Sequence, residues 1–151
     1  ISPMNAWLTN MNLETLPLRM QKHSENGMKL AEYLASHPKV EWVEYPGLPG
    51  SSEAELAKKY LKACGGVMTF GPKGGRKAAE KLLNSLELAA LVIHVADART
   101  GVLHPASTTH RQLSDEEQRA TGILPELIRV SVGLEHIDDI IADFEQALAK
   151  I

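Results

Sequence analysis

Leu127-Ile-Arg-Val-Ser-Val-Gly133 places an arginine inside an apolar run that reads as a buried strand. That residue constrains the fold more than any other. Desolvating a guanidinium costs several kcal/mol, so a buried arginine needs a partner. Either a carboxylate elsewhere in the chain folds onto Arg129, or an anionic ligand meets it. The planar fork of arginine matches a carboxylate in two hydrogen bonds. A structural ion pair and an anion site both stand at this point. Two polar segments precede the run: His94-Val-Ala-Asp-Ala-Arg-Thr100 and His104-Pro-Ala-Ser-Thr-Thr-His110-Arg111.

The rest of the chain predicts helices alternating with short strands. Ser2 caps a first helix with Pro3 at its start, running to about Leu13. Pro17 sets the start of a longer helix that reaches Ser36. Leu16, Met20, His23, Gly27, Leu30 and Leu34 recur there at three- and four-residue spacing, the signal of an amphipathic helix. Val40 to Tyr45 reads as a strand and Pro46 to Gly50 as a rigid turn. Ser52 is a candidate cap for a helix from Glu53 to Ala63. Gly66 to Phe70 reads as a second strand, followed by a turn and a helix from Arg76 to Leu86. Leu91 to Val95 is strand or buried coil. Ser114-Asp-Glu-Glu117 is a capping box that opens a short helix. Leu127 to Val132 is the third strand. Ile137, Ile140, Ile141, Phe144, Leu148 and Ile151 mark a final helix. The fold class implied is α+β: a small, mainly antiparallel sheet of three to four strands packed against helices.

Composition narrows the function. With 151 residues the chain is about one domain, and 44% hydrophobic content suffices for a core. A net charge of -3, with no basic cluster, argues against nucleic acid. No apolar run reaches the roughly 18 residues that a membrane span needs. Cys64 is the only cysteine, so no disulfide forms within the chain, and a reducing cytoplasmic setting fits. The chain begins at Ile1 and enters a helix at once, which reads as the interior of a longer protein.

Other motifs are weaker. Gly71-Pro-Lys-Gly-Gly-Arg76 lacks the GxxxxGK[ST] spacing of a phosphate loop and reads as a turn. His104 and His110 lack the spacing that puts two metal ligands on one helical face, and no third ligand is evident. Ser107, Thr108 and Thr109 stand in no nucleophile elbow. They satisfy loop backbone groups or help hold a ligand. Asp97 and Arg99, two apart, suggest a local network on one side of an extended segment. His94 ends an apolar run, where a hydrogen-bonded core histidine is the commoner role. The residues alone lead to an α+β domain with an anion site or ion pair at Arg129.

Eight motifs in order say more by resemblance. They are Ser2-Pro-Met-Asn-Ala6, Leu13-Glu-Thr-Leu-Pro-Leu-Arg19, His37-Pro-Lys-Val40, Tyr45-Pro-Gly-Leu48, Phe70-Gly-Pro-Lys-Gly-Gly75, Val95-Ala-Asp-Ala-Arg-Thr100, His104-Pro-Ala-Ser-Thr-Thr-His110 and Leu127-Ile-Arg-Val-Ser-Val-Gly133. Together they resemble the C-terminal part of the pyridoxal-phosphate trans-sulfuration enzymes. The His104 segment resembles the O-acetylhomoserine sulfhydrylase branch in particular.

The resemblance implies that residues 1–36 are helices leading in from a large cofactor domain and that 37–151 form the small C-terminal α+β domain. It implies γ-replacement chemistry, O-acetylhomoserine and sulfide giving homocysteine and acetate, with cystathionine synthesis or cleavage as the alternative. A stand-alone binding or assembly module is a reading from another class. Pyridoxal 5'-phosphate is implied for a full-length parent and not for this stretch alone, because the family lysine lies in a Ser-x-Thr-Lys context and no lysine here follows a threonine. The implied partners are the large domain, an amino-acid carboxylate and other copies of the full enzyme.

By the same resemblance Arg129 grips the substrate α-carboxylate. His94 takes the place of a serine or asparagine beside the substrate, Ala96 the place of a glycine, and Thr109 that of a threonine near the substrate. The apolar face from Met4 to Leu34 exceeds what so small a sheet covers, and such a patch marks an interface.

Overall fold

A computed structural model describes residues 1–151. Helix α1 (Pro3–Glu14) starts as its sequence prescribes, with Ser2 Oγ accepting from the Asn5 N–H at 3.2 Å. Thr15 ends it, and Pro17 sits in the first turn of α2 (Leu16–Ser36). The apolar stripe of α2 is buried only from its second turn onward, through His23, Asn26, Gly27, Leu30, Ala31 and Leu34. Leu16 and Met20, part of the same predicted stripe, stay exposed, and α1 buries no residue at all.

Five strands follow: β1 (Val40–Glu44), β2 (Val67–Pro72), β3 (Ala90–Leu91), β4 (Gly101–Leu103) and β5 (Ile128–Ser131). They form one sheet in the order β1-β2-β5-β4-β3. Every pairing is antiparallel except β3 with β4. The mainly antiparallel α+β architecture expected from the sequence is present, with five strands rather than three to four. The additional pair is short. Gly101 opens β4 because a Cβ there would stand 2.5 Å from Val92 Cγ2.

The remaining helices are α3 (Ala54–Tyr60), α4 (Gly75–Leu83), α5 (Asp115–Ala120) and α6 (Ile137–Ala149). Ser52 does not cap α3. Glu53 holds that position without a side-chain bond, and its own N–H donates to Ser51 Oγ at 3.3 Å. The predicted box does cap α5: Ser114 Oγ accepts from the Glu117 N–H, and Glu117 Oε2 accepts from the Ser114 N–H.

Helices α2, α4 and α6 pack on one face of the sheet. Leu30, Leu34, Phe70, Leu82, Ile128, Val130, Phe144 and Leu148 are fully buried between these layers. Phe70 and Phe144 meet edge to face with centroids 6.1 Å apart. Gly27 lets α2 approach the Gly65–Gly66 turn, since a Cβ there would meet the Gly65 carbonyl at 2.7 Å. Gly65 is also the acceptor for the Tyr45 hydroxyl at 2.8 Å. No helix is long and apolar enough to cross a membrane.

Candidate functional site

Strand β5 alternates. Ile128 and Val130 point into the helix-covered core, so Arg129 and Ser131 point to the other face. Arg129 is half-buried rather than buried, because little covers that face. Its neighbours across the strands are Thr69 on β2 and Leu103 on β4. Glu44 pairs with Thr69 on the far strand. Two strand spacings, roughly 10 Å, hold it out of reach of Arg129. No carboxylate stands within ion-pair distance of Arg129, and its one hydrogen bond runs from Nη2 to the Ile93 carbonyl at 2.7 Å. The structural ion pair is thereby excluded within this chain. A guanidinium carries five N–H donors, and here one is used.

The Ile93 carbonyl belongs to the peptide bond preceding His94, so Arg129 holds the backbone beside His94, with no hydrogen bond between the two side chains. The segment is not buried: Ile93 is 70% and Val95 47% exposed. It is not extended either. Ala96 adopts a left-handed conformation with φ 63, and its N–H donates to Ser131 Oγ at 2.9 Å. The bend brings His94 Nε2 to Asp97 Oδ2 at 2.9 Å. Asp97 Oδ1 accepts from the Arg99 N–H at 3.0 Å, and Arg99 Nη2 reaches Oδ2 at 3.4 Å. Those donors, the Arg99 backbone first and then His94 and Arg99 side chains, hold the Asp97 carboxyl down to about 2. The expected Asp97–Arg99 network forms through a turn and takes in His94.

A second layer of hydrogen bonds fixes this loop on β5, and no local sequence pattern announces it. Thr100 donates from N and Oγ1 to the Glu135 carboxylate at 2.6 and 2.9 Å, while its Oγ1 accepts from the Gly133 N–H at 2.9 Å. From α2, Asn26 Nδ2 donates to the Gly133 and Glu135 carbonyls, and His23 Nδ1–H donates to the Val132 carbonyl at 2.6 Å. His23 Nδ1 and Asn26 Nδ2 thus find partners more than a hundred residues distant, which periodicity cannot reveal, while His23 Nε2 and Asn26 Oδ1 are buried without one.

Thr109 is exposed and shares a 2.9 Å hydrogen bond with His110 Nδ1. No hydrogen bond joins it to Arg129 or His94. His104 is buried and saturated, with Nε2–H donating to the Pro125 carbonyl and Nδ1 accepting from Ser107 Oγ, both at 2.8 Å. No group of three metal-ligating side chains occurs. The largest cleft, about 710 Å³ between the Pro46–Ser51 loop and α3, contains none of the three predicted site residues.

Residues 1–149 match the family described as Cys/Met metabolism PLP-dependent enzymes. The chain belongs to this family. Among its members, the homocysteine synthase of Schizosaccharomyces pombe is 54% identical over 97% of this chain and 34% of its own length. The O-acetyl-L-homoserine sulfhydrylase of Leptospira meyeri is 49% identical over all of this chain and 35% of its own. A crystal structure of an O-acetylhomoserine (thiol)-lyase from Campylobacter jejuni superposes with a TM-score of 0.92 at 41% identity, covering 99% of this chain and 36% of that one. The chain thus spans about a third of the length of these family members.

That crystal structure carries its pyridoxyl group on a lysine. The lysines here with hydrogen-bond or ion-pair partners are engaged elsewhere. Lys39 donates to the carbonyls of Leu148, Ala149 and Ile151, Lys73 to that of Pro38, Lys58 pairs with Glu55 and Lys150 with Glu87. None bonds to β5 or to the 93–100 loop.

Proposed function

We propose that this chain forms the substrate-carboxylate side of a pyridoxal-phosphate-dependent O-acetylhomoserine sulfhydrylase. O-acetyl-L-homoserine and sulfide give homocysteine and acetate. The observation that carries this reading is Arg129: an ordered, half-buried guanidinium with no carboxylate partner, in a family whose substrates are amino acids. The Ile93 carbonyl sets the plane of the guanidinium and leaves its other donors for a two-pronged contact. His94 and Thr109 border the same substrate. Residues outside these 151 hold the cofactor, which supplies the stabilisation of carbanion character when bound.

The exposed apolar residues of α1 are the surface on which the cofactor-holding part sits, and the working enzyme is a homo-oligomer. The direct test is an assay of the purified holoenzyme. Homocysteine should appear from O-acetyl-L-homoserine and sulfide, and cystathionine should form far more slowly when cysteine replaces sulfide. Faster turnover with cysteine would assign the chain to the cystathionine enzymes instead.

A further inference from the structure

We infer that Glu135 is the positioning residue of the carboxylate clamp: through Thr100 it fixes the loop whose Ile93 carbonyl aims the Arg129 guanidinium. The inference rests on the sulfhydrylase reading, because it needs a substrate carboxylate on Arg129. A guanidinium on a half-exposed strand face is mobile unless something holds it, and ordering it when substrate arrives costs affinity. Within this chain its one acceptor is the Ile93 carbonyl. The aim of the clamp is therefore only as fixed as the loop that carries Ile93.

Hydrogen bonds tie that loop to β5 and the segment that continues it. Arg129 holds Ile93, Ser131 Oγ accepts from the Ala96 N–H at 2.9 Å, and the Leu134 N–H donates to the Ala98 carbonyl at 2.7 Å. The last tie is at Thr100, and it differs from the others in burial and in charge. Thr100 is fully buried. Its N–H and its hydroxyl both donate to the Glu135 carboxylate, at 2.6 and 2.9 Å, and its carbonyl accepts from the Ala90 N–H of β3 at 3.0 Å. Hydrogen bonds to an ionised acceptor are roughly twice as strong as neutral ones.

The joint is closely fitted. A Cβ on Gly133 would lie 2.5 Å from the Ala98 carbonyl oxygen and would collide with the Glu135 carboxylate, so glycine lets the loop, the strand end and the carboxylate converge. The Gly133 N–H occupies a lone pair of Thr100 Oγ1 at 2.9 Å, which leaves the hydroxyl hydrogen for Glu135. Glu135 is in turn held from α2. Asn26 is fully buried, and its Nδ2 donates to the Gly133 and Glu135 carbonyls at 3.0 and 2.9 Å. The contacts run from α2 through Glu135 and Thr100 to the Ile93 carbonyl and Arg129. A group held in place before its ligand arrives binds more tightly than one ordered on arrival. The benefit is confined to ligands that carry a carboxylate.

The test is calorimetric titration of the holoenzyme with L-norleucine and with pentylamine, the same molecule without its carboxylate. The variants are Glu135→Gln, Thr100→Val, Thr100→Ser and Arg129→Lys. Glu135→Gln keeps one acceptor oxygen and turns an amide NH2 toward the other Thr100 donor. It should weaken L-norleucine about tenfold, below the roughly hundredfold that a displacement of about 1 Å can cost, since Ser131 and Leu134 still hold the loop. Pentylamine should bind as it does to the parent. KM for O-acetyl-L-homoserine should rise with kcat little changed. Thr100→Val, which removes the hydroxyl and keeps the branched shape, should show the same selective loss. Thr100→Ser, which keeps the hydroxyl, should recover it. A merely structural role for Glu135 lowers the Tm and leaves the ratio of the two dissociation constants unchanged.

If Glu135→Gln weakens both ligands alike, or neither, while Arg129→Lys weakens L-norleucine alone, the positioning role is wrong and the sulfhydrylase reading survives. If Arg129→Lys does not discriminate between the two ligands either, the carboxylate contact falls with it. Should Glu135→Gln not fold, the Thr100 variants decide by the same ratio. A selective loss in Thr100→Val that Thr100→Ser recovers supports the role, and equal ratios overturn it.

Discussion

Arg129 and Ala96 show how single residues tie this sequence to its site. An arginine between Ile128 and Val130 was legible as a charge needing a partner. Its half-exposure was not, because that depends on what covers the second face of the sheet. Ala96 was legible only as a departure from the family's glycine. The structure supplies the physical consequence, a left-handed backbone at φ 63. That conformation costs an L-residue roughly 1–2 kcal/mol. Glycine relieves the strain but loosens the unfolded chain by roughly 0.4–1 kcal/mol. Ala96→Gly should therefore stabilise the fold by about 0.5–1 kcal/mol, a rise of about 2 °C in Tm by calorimetry. A lowered Tm would mean that the bend holding Asp97 to His94 is not strained at this residue.

Among the elements, those with local signals were readable and those with distant partners were not. Helices α1, α2, α5 and α6 announce themselves through caps, prolines and apolar spacing. Strand β4 has three residues beginning with a glycine, and only its pairing with β5 makes it a strand. The link into β3 depends on a residue far along the chain. Asp143 on α6 is buried, and its carboxylate accepts from the N–H groups of Glu87, Leu88 and Ala89 at 2.8, 3.0 and 2.9 Å. Asp143→Ala strands those donors, and hydrogen bonds to a charge are worth roughly 1.5–3 kcal/mol. Urea unfolding should show a loss of about 3 kcal/mol. A loss under about 0.5 kcal/mol, the range of ordinary surface changes, would show that water replaces the carboxylate.

At the scale of the whole molecule the asymmetry is the main finding. Three helices cover one face of the sheet, while the other face carries Arg129, Ser131 and the His94–Arg99 loop. Helix α1 leaves Met4 61%, Trp7 56%, Leu8 46% and Met11 46% exposed, a contiguous run of large apolar side chains of the kind that marks an interface. The sequence foretold that excess, since its apolar helical face outran what a small sheet covers. Both open surfaces fit a chain that spans about a third of its relatives' length.

The proposed role of Arg129 is to hold a substrate carboxylate. Its most direct test is steady-state kinetics of Arg129→Lys in the holoenzyme. Lysine keeps the charge and loses the fork. With a two-pronged, charge-assisted contact worth roughly 1.5–3 kcal/mol, kcat/KM for O-acetyl-L-homoserine should fall about 10- to 100-fold. The cofactor absorbance should not change. Kinetics equal to the parent's, with the variant fully folded, would show that Arg129 does not hold the carboxylate.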